Sequence, residues 1–334
     1  MPDTQNPPVS PVRTLALDDL PSGFGPSAVA VGNFDGVHRG HAALIQTAIA
    51  EARRQDARAI VLTFEPHPRT FFRPERPVFR MTPPAAKARI MAALGIDAMV
   101  AARFDAGFSQ LEPTAFEEDV LAGRLAARRV IVGDGFRFGK GRAGTIEQLR
   151  AAGQRFGFDV VVVDPVFDEQ GERISSSAIR EYLAAGDVTN ANRLLGYRWF
   201  VVGTVIHGEE RGRELGFPTA NIALPADCEL RHGIYAVTLT SRGGEPLAGV
   251  ASYGRRPQFD NGAPLLEVFV FDFDGDLYDQ DVVVTFVDWI RPEATFESVA
   301  ALVETMRNDA RTARSIIAKA GPGGPIDVRL AAVG

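Results

Sequence analysis

The sequence changes its period part-way along, and that change limits the folds open to it. Through the first half, short apolar runs alternate with helical patterns. "SAVAVG" (Ser27–Gly32) ends in glycine and is followed by Leu44, Ile45, Ala48, Ile49 and Ala52 at helical spacing. "AIVLTF" (Ala59–Phe64) reads as a second buried strand, and "PPAAKARIMAALG" (Pro83–Gly95) as a helix opened by proline and closed by glycine. "DAMVAA", a helix from about Pro113 to Ala126, "RVIVG" (Arg129–Gly133), the helix "TIEQLRAAGQRFG" and the strand "DVVVVDPV" continue the alternation. Such a pattern predicts an α/β domain, a parallel sheet with helices on both faces.

After about Gly186 the helices drop out. "DVTNANRLLG" (Asp187–Gly196) reads as a connecting helix. Five apolar runs follow: 197–206, 233–241, 246–254, 264–273 and 281–290, with the turn signals "SRGGEP", "FDNGAP" and "DFDGDL" between them. These predict an antiparallel barrel or sandwich, with a closing helix from about Phe296 to Ala318 against it. The expected organisation is a flexible tail over 1–11, an α/β domain over 12–186, an antiparallel domain over 187–320 and a C-terminal tail over 321–334. A chain of 334 residues that is 46% hydrophobic can fill two such cores.

Composition also excludes function classes. A formal charge of −6 argues against nucleic acid as a partner. No apolar run approaches the roughly 18 residues of a membrane helix, and the first residues lack the basic start and apolar run of a signal peptide. The single cysteine, Cys228, rules out an internal disulfide and reads as an inert thiol in a reducing compartment, so the cytoplasm is the expected location. A homo-oligomer is left open.

Two of the five histidines, His38 and His41, stand at the mouth of the first helix in "GNFDGVHRGH". A segment after the first strand of a parallel sheet lies where such sheets bind ligands. Gly32, Gly36 and Gly40 allow close backbone approach, and the helix start directs amides and a positive dipole end at the turn. Phosphates suit that place, and imidazoles can donate to them. Zinc binding with His67 as a third ligand, or plain helix capping, are the competing readings. A second phosphate cradle is "ISSSAIR" (Ile174–Arg180), where Ser175, Ser176 and Ser177 stand at a helix start with Arg180.

These segments resemble a known family. Gly-x-Phe-Asp-Gly-x-His-x-Gly-His, here Gly32 to His41, is similar to the nucleotide signature of the nucleotidylyltransferases. More narrowly, it resembles that of the bifunctional bacterial riboflavin kinase/FAD synthetases. The resemblance runs from about Val29 to Ala310. It implies that Gly32, Phe34, Asp35, Gly36, Gly40 and the "ISSSAIR" residues bind ATP phosphates. It further implies that "TFEPHP", with Phe64, Pro66 and Pro68, and "VGDGFRFGKGRAGT", with Asp134, Phe136 and Phe138, approach a flavin. The chain departs from the family at Gly135, where an acidic or amide residue is usual, and at Ser177, where threonine is usual.

The second half carries its own constellation. In "GRELGFPTANI" (Gly212–Ile222), Thr219 and Asn221 share a side if the stretch is extended. Their hard oxygens suit Mg²⁺ that also binds substrate phosphates. In "LLEVFVFDF", alternation puts Glu267, Phe269 and Phe271 on one face. The segment 212–222 resembles the riboflavin kinase signature, and "GEERGR", with Gly208, Gly212 and Arg213, resembles its nucleotide loop. The resemblance singles out Glu267 as the catalytic base, with Asp279 replacing a usual glycine and Gln258 a usual threonine. The expectation is an enzyme that phosphorylates riboflavin to FMN and adenylylates FMN to FAD, with ATP as co-substrate and His38, His41 and Glu267 in the catalytic roles. A lone FMN adenylyltransferase with a non-catalytic barrel, and a flavin-binding protein without activity, are the alternatives.

Overall fold

The computed structural model describes residues 12–208, 216–255 and 264–333. Two compact units emerge. One comprises residues up to Val78, Lys87–Ser175 and Val333; the other comprises Phe79–Ala86 and Ser176–Ala332. Neither is a single stretch of chain.

The first unit follows the alternation. Its elements run β1 (Arg13–Ala16), β2 (Ser27–Val31), α1 (Arg39–Arg54), β3 (Arg58–Glu65), α2 (Pro68–Phe72), α3 (Pro84–Leu94), β4 (Ala98–Arg103), α4 (Ala106–Ser109), α5 (Pro113–Ala115), a π-helix (Phe116–Arg124), β5 (Ala127–Gly133), α6 (Ile146–Phe156) and β6 (Asp159–Val163). α3 begins in the other unit and continues into this one from Lys87. The strands form one parallel sheet in the order β1-β4-β3-β2-β5-β6. β1 was not expected; it is a short edge strand with three exposed residues among its four. The central strands are apolar throughout, and all five residues of β2 are buried, as a sheet covered on both faces requires. α1 turns Ile45, Ala48, Ile49 and Ala52 inward. Thr145 and Gln148 form a capping box on α6, and Gly157 ends it at φ 84°.

The helix expected over 113–126 differs from expectation. After one short turn it winds as a π-helix, and Leu125 donates to the Val120 carbonyl. Its buried residues are Phe116, Glu117, Val120 and Leu121, with Leu125 beyond. Burial raises the Glu117 carboxyl pKa, and Arg155, whose Nη2 donates to it at 3.4 Å, opposes that rise.

The second unit opens with α7 (Ser176–Ala185) and α8 (Val188–Leu195), the latter capped by Asp187. The strands β7 (Phe200–Ile206), β8 (Thr219–Ala223), β9 (Gly233–Ser241), β10 (Leu247–Arg255), β11 (Pro264–Val270) and β12 (Asp281–Arg291) follow, then α9 (Val299–Ala320) and α10 (Pro325–Ala331). The sheet closes into an antiparallel barrel in the order β10-β11-β8-β7-β12-β9, which removes every edge. Leu266 faces Ile222 and Tyr253, and Val268 faces Ala220 and Ala251; all six are buried and fill the interior. Outside, Ala313 of α9 packs with Ala236, Phe271 and Val287. The segment 321–334 reads as a tail in sequence, but α10 forms within it. Asp327 accepts from the Gly324 amide at 2.7 Å and the Arg198 amide at 2.8 Å. Residues 79–86 join this unit through Trp199, whose indole donates to the Met81 carbonyl at 2.9 Å.

An ion pair ties α9 to the end of β12. Arg291 grips Asp309 with Nε at 2.9 Å and Nη2 at 2.6 Å, and Asp309 is only 6% exposed. Removing one partner of such a pair strands the other charge. Asp309→Ala should destabilise the second unit by about 2–3 kcal/mol, read from urea unfolding; a loss under about 0.5 kcal/mol, the scale of an exposed pair, would show that the pair carries no stability.

Candidate active site

The first unit's strand order reverses around β2: the chain moves to β3 and β4 on one side, then to β5 and β6 on the other. The turn leaving β2 therefore sits at a switch point, where open α/β sheets bind ligands. Phe34 at φ 47°, Gly36 at φ 83° and Val37 at φ 38° give it three left-handed residues, two of them carrying side chains that disfavour this conformation. Such strain persists only where surroundings enforce it. Here the Gly32 amide donates to the Leu62 carbonyl at 3.1 Å, and Thr63 Oγ1 donates to the Asn33 carbonyl at 3.1 Å. Phe34 is fully buried, and its ring stands 5.2 Å from that of His41. Asp35 is buried beside it, 3% exposed.

His38 is the N-cap of α1. Its Nδ1 accepts from the His41 amide at 3.2 Å, so its proton sits on Nε2 and that nitrogen is a donor. The two imidazoles stack with centroids 3.7 Å apart and planes 13° off parallel. A Cβ at Gly40 would lie 3.1 Å from the His38 ring and 4.0 Å from the Ile174 carbonyl, which brings the start of the "ISSSAIR" segment beside this helix end. Ser175 closes the first unit, whereas Ser176, Ser177 and Arg180 belong to α7 in the second. Arg180 Nε donates to the Phe79 carbonyl at 2.8 Å and Nη1 to the Ser176 carbonyl at 3.3 Å.

His67 is likewise a cap: its Nδ1 accepts from the Arg69 amide at 3.2 Å. Among the described residues, no three His, Cys, Asp or Glu stand together to hold a metal ion. Phe64 is half-buried and packs edge-on against Phe104. Phe136 is half-buried and stacks on Phe138, which belongs to the core at 6% exposure. Pro66 and Asp134 are exposed.

In the second unit, Thr219 and Asn221 do lie on one strand face. β8 is a strand rather than a turn, and Ala220 and Ile222 take the barrel interior. Asn221 stands directly opposite Glu267, and Glu267 is directly opposite Ser252 on its other side. Residues so paired have Cβ atoms about 5 Å apart on the same face. The face is the barrel's outside. Phe269, opposite Thr219, packs against the cluster under α9, and Phe271 lies just past the strand end. Asn221 is 6% exposed because the chain at Gly208 passes close by. A Cβ at Gly208 would fall 2.3 Å from the Asn221 amide nitrogen, so only glycine fits without displacing it. Gly212, Arg213 and Gln258 lie outside the described residues.

Sequence reasoning missed three polar groups here. Ser252 needed the strand register to be found. Arg39 holds Glu169 through two bonds, Nη1–Oε2 at 2.9 Å and Nη2–Oε1 at 2.6 Å, tying the loop before Ile174 to the α1 N-terminus. Lys87 interrupts the apolar stripe continued by Ile90, Met91 and Leu94, and that interruption was a readable sign of a buried cation.

Residues 22–178 match the family model described as FAD synthetase, and residues 195–317 match the one described as riboflavin kinase. Over 294 residues the chain is 39% identical to the bifunctional riboflavin kinase/FMN adenylyltransferase of Escherichia coli K12, covering 88% of this chain and 94% of that one. The chain belongs to the bifunctional riboflavin kinase/FMN adenylyltransferase family. The Haemophilus influenzae member is 38% identical over 86% of this chain and 93% of its own. A crystal structure from Streptococcus pneumoniae, described as a macrolide-efflux protein, superposes with a TM-score of 0.80 at 30% identity, covering 91% of this chain and 99% of its own. Among the described residues here, no helix is long and apolar enough to cross a membrane.

Two departures from the family acquire a physical reading. Asp279 adopts φ 60°, the region that favours the family's glycine and that aspartate tolerates better than most residues. Gly135 sits at φ 73° with open space where a Cβ would be, so the backbone keeps a conformation that asparagine can share and only the side chain is lost.

Arg39 also sets a titration. Its hydrogen bonds hold the Glu169 carboxyl down at about 2, so whatever the pair contributes is present above the ordinary glutamate range and is lost as pH falls through about 2. Carboxyl NMR should show Glu169 titrating near 2, and Arg39→Ala should raise it toward the ordinary range, with a backbone hydrogen bond still holding it down in part; a normal titration in the unaltered protein would rule the pair out in solution.

Proposed function

We propose that the chain carries two activities that act in series on one flavin, the adenylyltransferase within 12–186 and the riboflavin kinase within 187–320. The chain converts riboflavin and ATP to FMN and ADP, then FMN and a second ATP to FAD and pyrophosphate. One observation supports the reading: two separate polar groupings stand on different folds, His38 and His41 at a sheet switch point and Glu267 opposite Asn221 on a barrel, and each suits phosphate handling.

In the kinase reaction Glu267 takes the proton of the ribityl 5′-hydroxyl as its oxygen attacks the γ-phosphorus, and the ADP oxygen leaves. Asn221 and Ser252 flank the carboxylate and orient it. Thr219 and Asn221 offer a hydroxyl and an amide oxygen on one face, hard donors that fit Mg²⁺ carried with the ATP phosphates. When bound, that ion neutralises charge on the phosphates. No carboxylate cluster is needed where phosphates supply most ligands.

In the adenylyl transfer the FMN phosphate is already ionised and needs no base. It attacks the α-phosphorus of ATP, and pyrophosphate leaves. The protein contributes position and charge stabilisation. His38 Nε2–H and the His41 ring face the phosphates from the α1 N-terminus, whose first amides add donors. The half-buried rings of Phe64 and Phe136, with Pro66, Pro68 and Asp134 nearby in sequence, hold the flavin. The family resemblance gives Ser175, Ser176, Ser177 and Arg180 a role toward phosphate, and Gly208, Gly212 and Arg213 a role toward the kinase nucleotide. Cys228 is buried and its thiol is pushed up chiefly by burial, as suits an inert cysteine in the cytoplasm.

Incubation with riboflavin and Mg·ATP, with FMN and FAD resolved, tests the series directly. His41→Ala should lower FAD synthesis by about 10²–10³-fold, by analogy with lost oxyanion donors, while FMN accumulates; near-normal FAD output would remove His41 from the mechanism. Glu267→Gln keeps the shape of the side chain but not its basicity. It should lower kcat for riboflavin phosphorylation by about 10²-fold, the low end for general bases because the transition state is loose. FMN supplied to that variant should still become FAD at the unaltered rate, and kinase activity above about half of normal would exclude Glu267 as the base.

A further inference from the structure

Lys87 is 1% exposed, and lysine is almost never buried without partners. It lies in the first unit, in the first turn of α3, and its ammonium reaches the carboxyl ends of β2 and β3. Nζ donates to the Asn33 carbonyl at 2.9 Å, to Thr63 Oγ1 at 3.0 Å and to Glu65 Oε1 at 3.3 Å. Thr63 Oγ1 passes its own proton to the same Asn33 carbonyl. Two donors thus converge on the peptide group just before Phe34, the first left-handed residue of the turn. The third bond holds Glu65, the residue just before Pro66.

One ammonium therefore joins the turn that begins the histidine segment to the strand end that begins the "PHP" segment. We propose that Lys87 is a positioning residue for adenylyl transfer: it locks the phosphate-side turn to the flavin-side segment and so sets the approach of the FMN phosphate to the ATP α-phosphorus. This rests on the reading that those two segments hold ATP and FMN. Lys87 itself touches neither substrate. It acts through Asn33 and Glu65, and small misplacements of reacting groups cost rate steeply. The competing role is charge balance, in which Lys87 only neutralises a carboxylate.

The test uses the full chain and three variants, Lys87→Met, Glu65→Gln and the pair together, with riboflavin phosphorylation in the same samples reporting the untouched second unit. Lys87→Met should lower kcat for FMN adenylylation by about 10–100-fold, with KM for ATP changed less than about threefold. The double variant, which leaves no unpaired charge, should regain melting temperature but not kcat. If the double variant instead matches Glu65→Gln within about twofold in kcat, Lys87 balances charge and the proposal is overturned; so too if only KM changes. Where Lys87 variants do not fold, Thr63→Val decides, since it removes both a donor to the Asn33 carbonyl and an acceptor of the Lys87 ammonium while keeping the size of the side chain. A fall in kcat of about threefold or more supports the tether, and an unaltered kcat overturns it. His41→Ala in the same assay separates the two ideas, because retained FAD synthesis there would defeat the site reading whatever Lys87 does.

Discussion

A parallel sheet sends every strand's carboxyl end to the same edge, and the first unit is organised by that constraint. With β2 in the middle and the chain leaving it first to one side and then to the other, the turn after β2 is the place where neighbouring loops diverge. The turn is held in a conformation that two of its residues disfavour, and it is held from β3 by Leu62 and Thr63 and from α3 by Lys87, which donates to the Asn33 carbonyl. Only then does α1 start where His38 can cap it and His41 can stack on His38. The histidine geometry thus rests on sheet order and on hydrogen bonds to two carbonyls, those of Leu62 and Asn33.

The barrel reaches its site by a different rule. Closing six antiparallel strands fills the inside with Ile222, Tyr253, Leu266 and Val268, so every second residue is forced outward. Thr219, Asn221, Ser252 and Glu267 are outward residues. α9 covers part of that outer surface over Phe271 and Ala236, and Phe269 marks the border between the covered apolar part and the polar part that carries Glu267. The alternation that places phenylalanines under a helix and the one that presents the carboxylate are the same alternation.

Much of this was legible beforehand because the signals are local. The two periods separated a parallel α/β half from an antiparallel half, with barrel or sandwich left open, and the glycine and histidine spacing singled out the turn after β2. What escaped was whatever depends on a distant partner. β1 has no apolar pattern of its own and exists because β4 offers an unpaired edge. α10 follows a glycine–proline run that reads as a tail, yet Asp327 anchors it to Arg198. The π-turns over 116–124 carry no periodicity signal that sets them apart from an α-helix. Residues 79–86 look continuous with the first half, but the Met81 carbonyl meets the Trp199 indole.

By itself the sequence determined that one chain carries a parallel α/β half followed by an antiparallel half, and it singled out a histidine pair behind a glycine turn and a threonine–asparagine pair. Backbone periodicity and turn chemistry act over a few residues, so the order of residues suffices for them. The tertiary structure alone decided that Glu267 stands between Asn221 and Ser252, that Lys87 reaches Asn33 and Glu65, and that Arg39 holds Glu169. Each of these is a contact between residues far apart in the chain. Strand register and the cost of burying a charge without partners select it, and neither can be evaluated until the elements are packed.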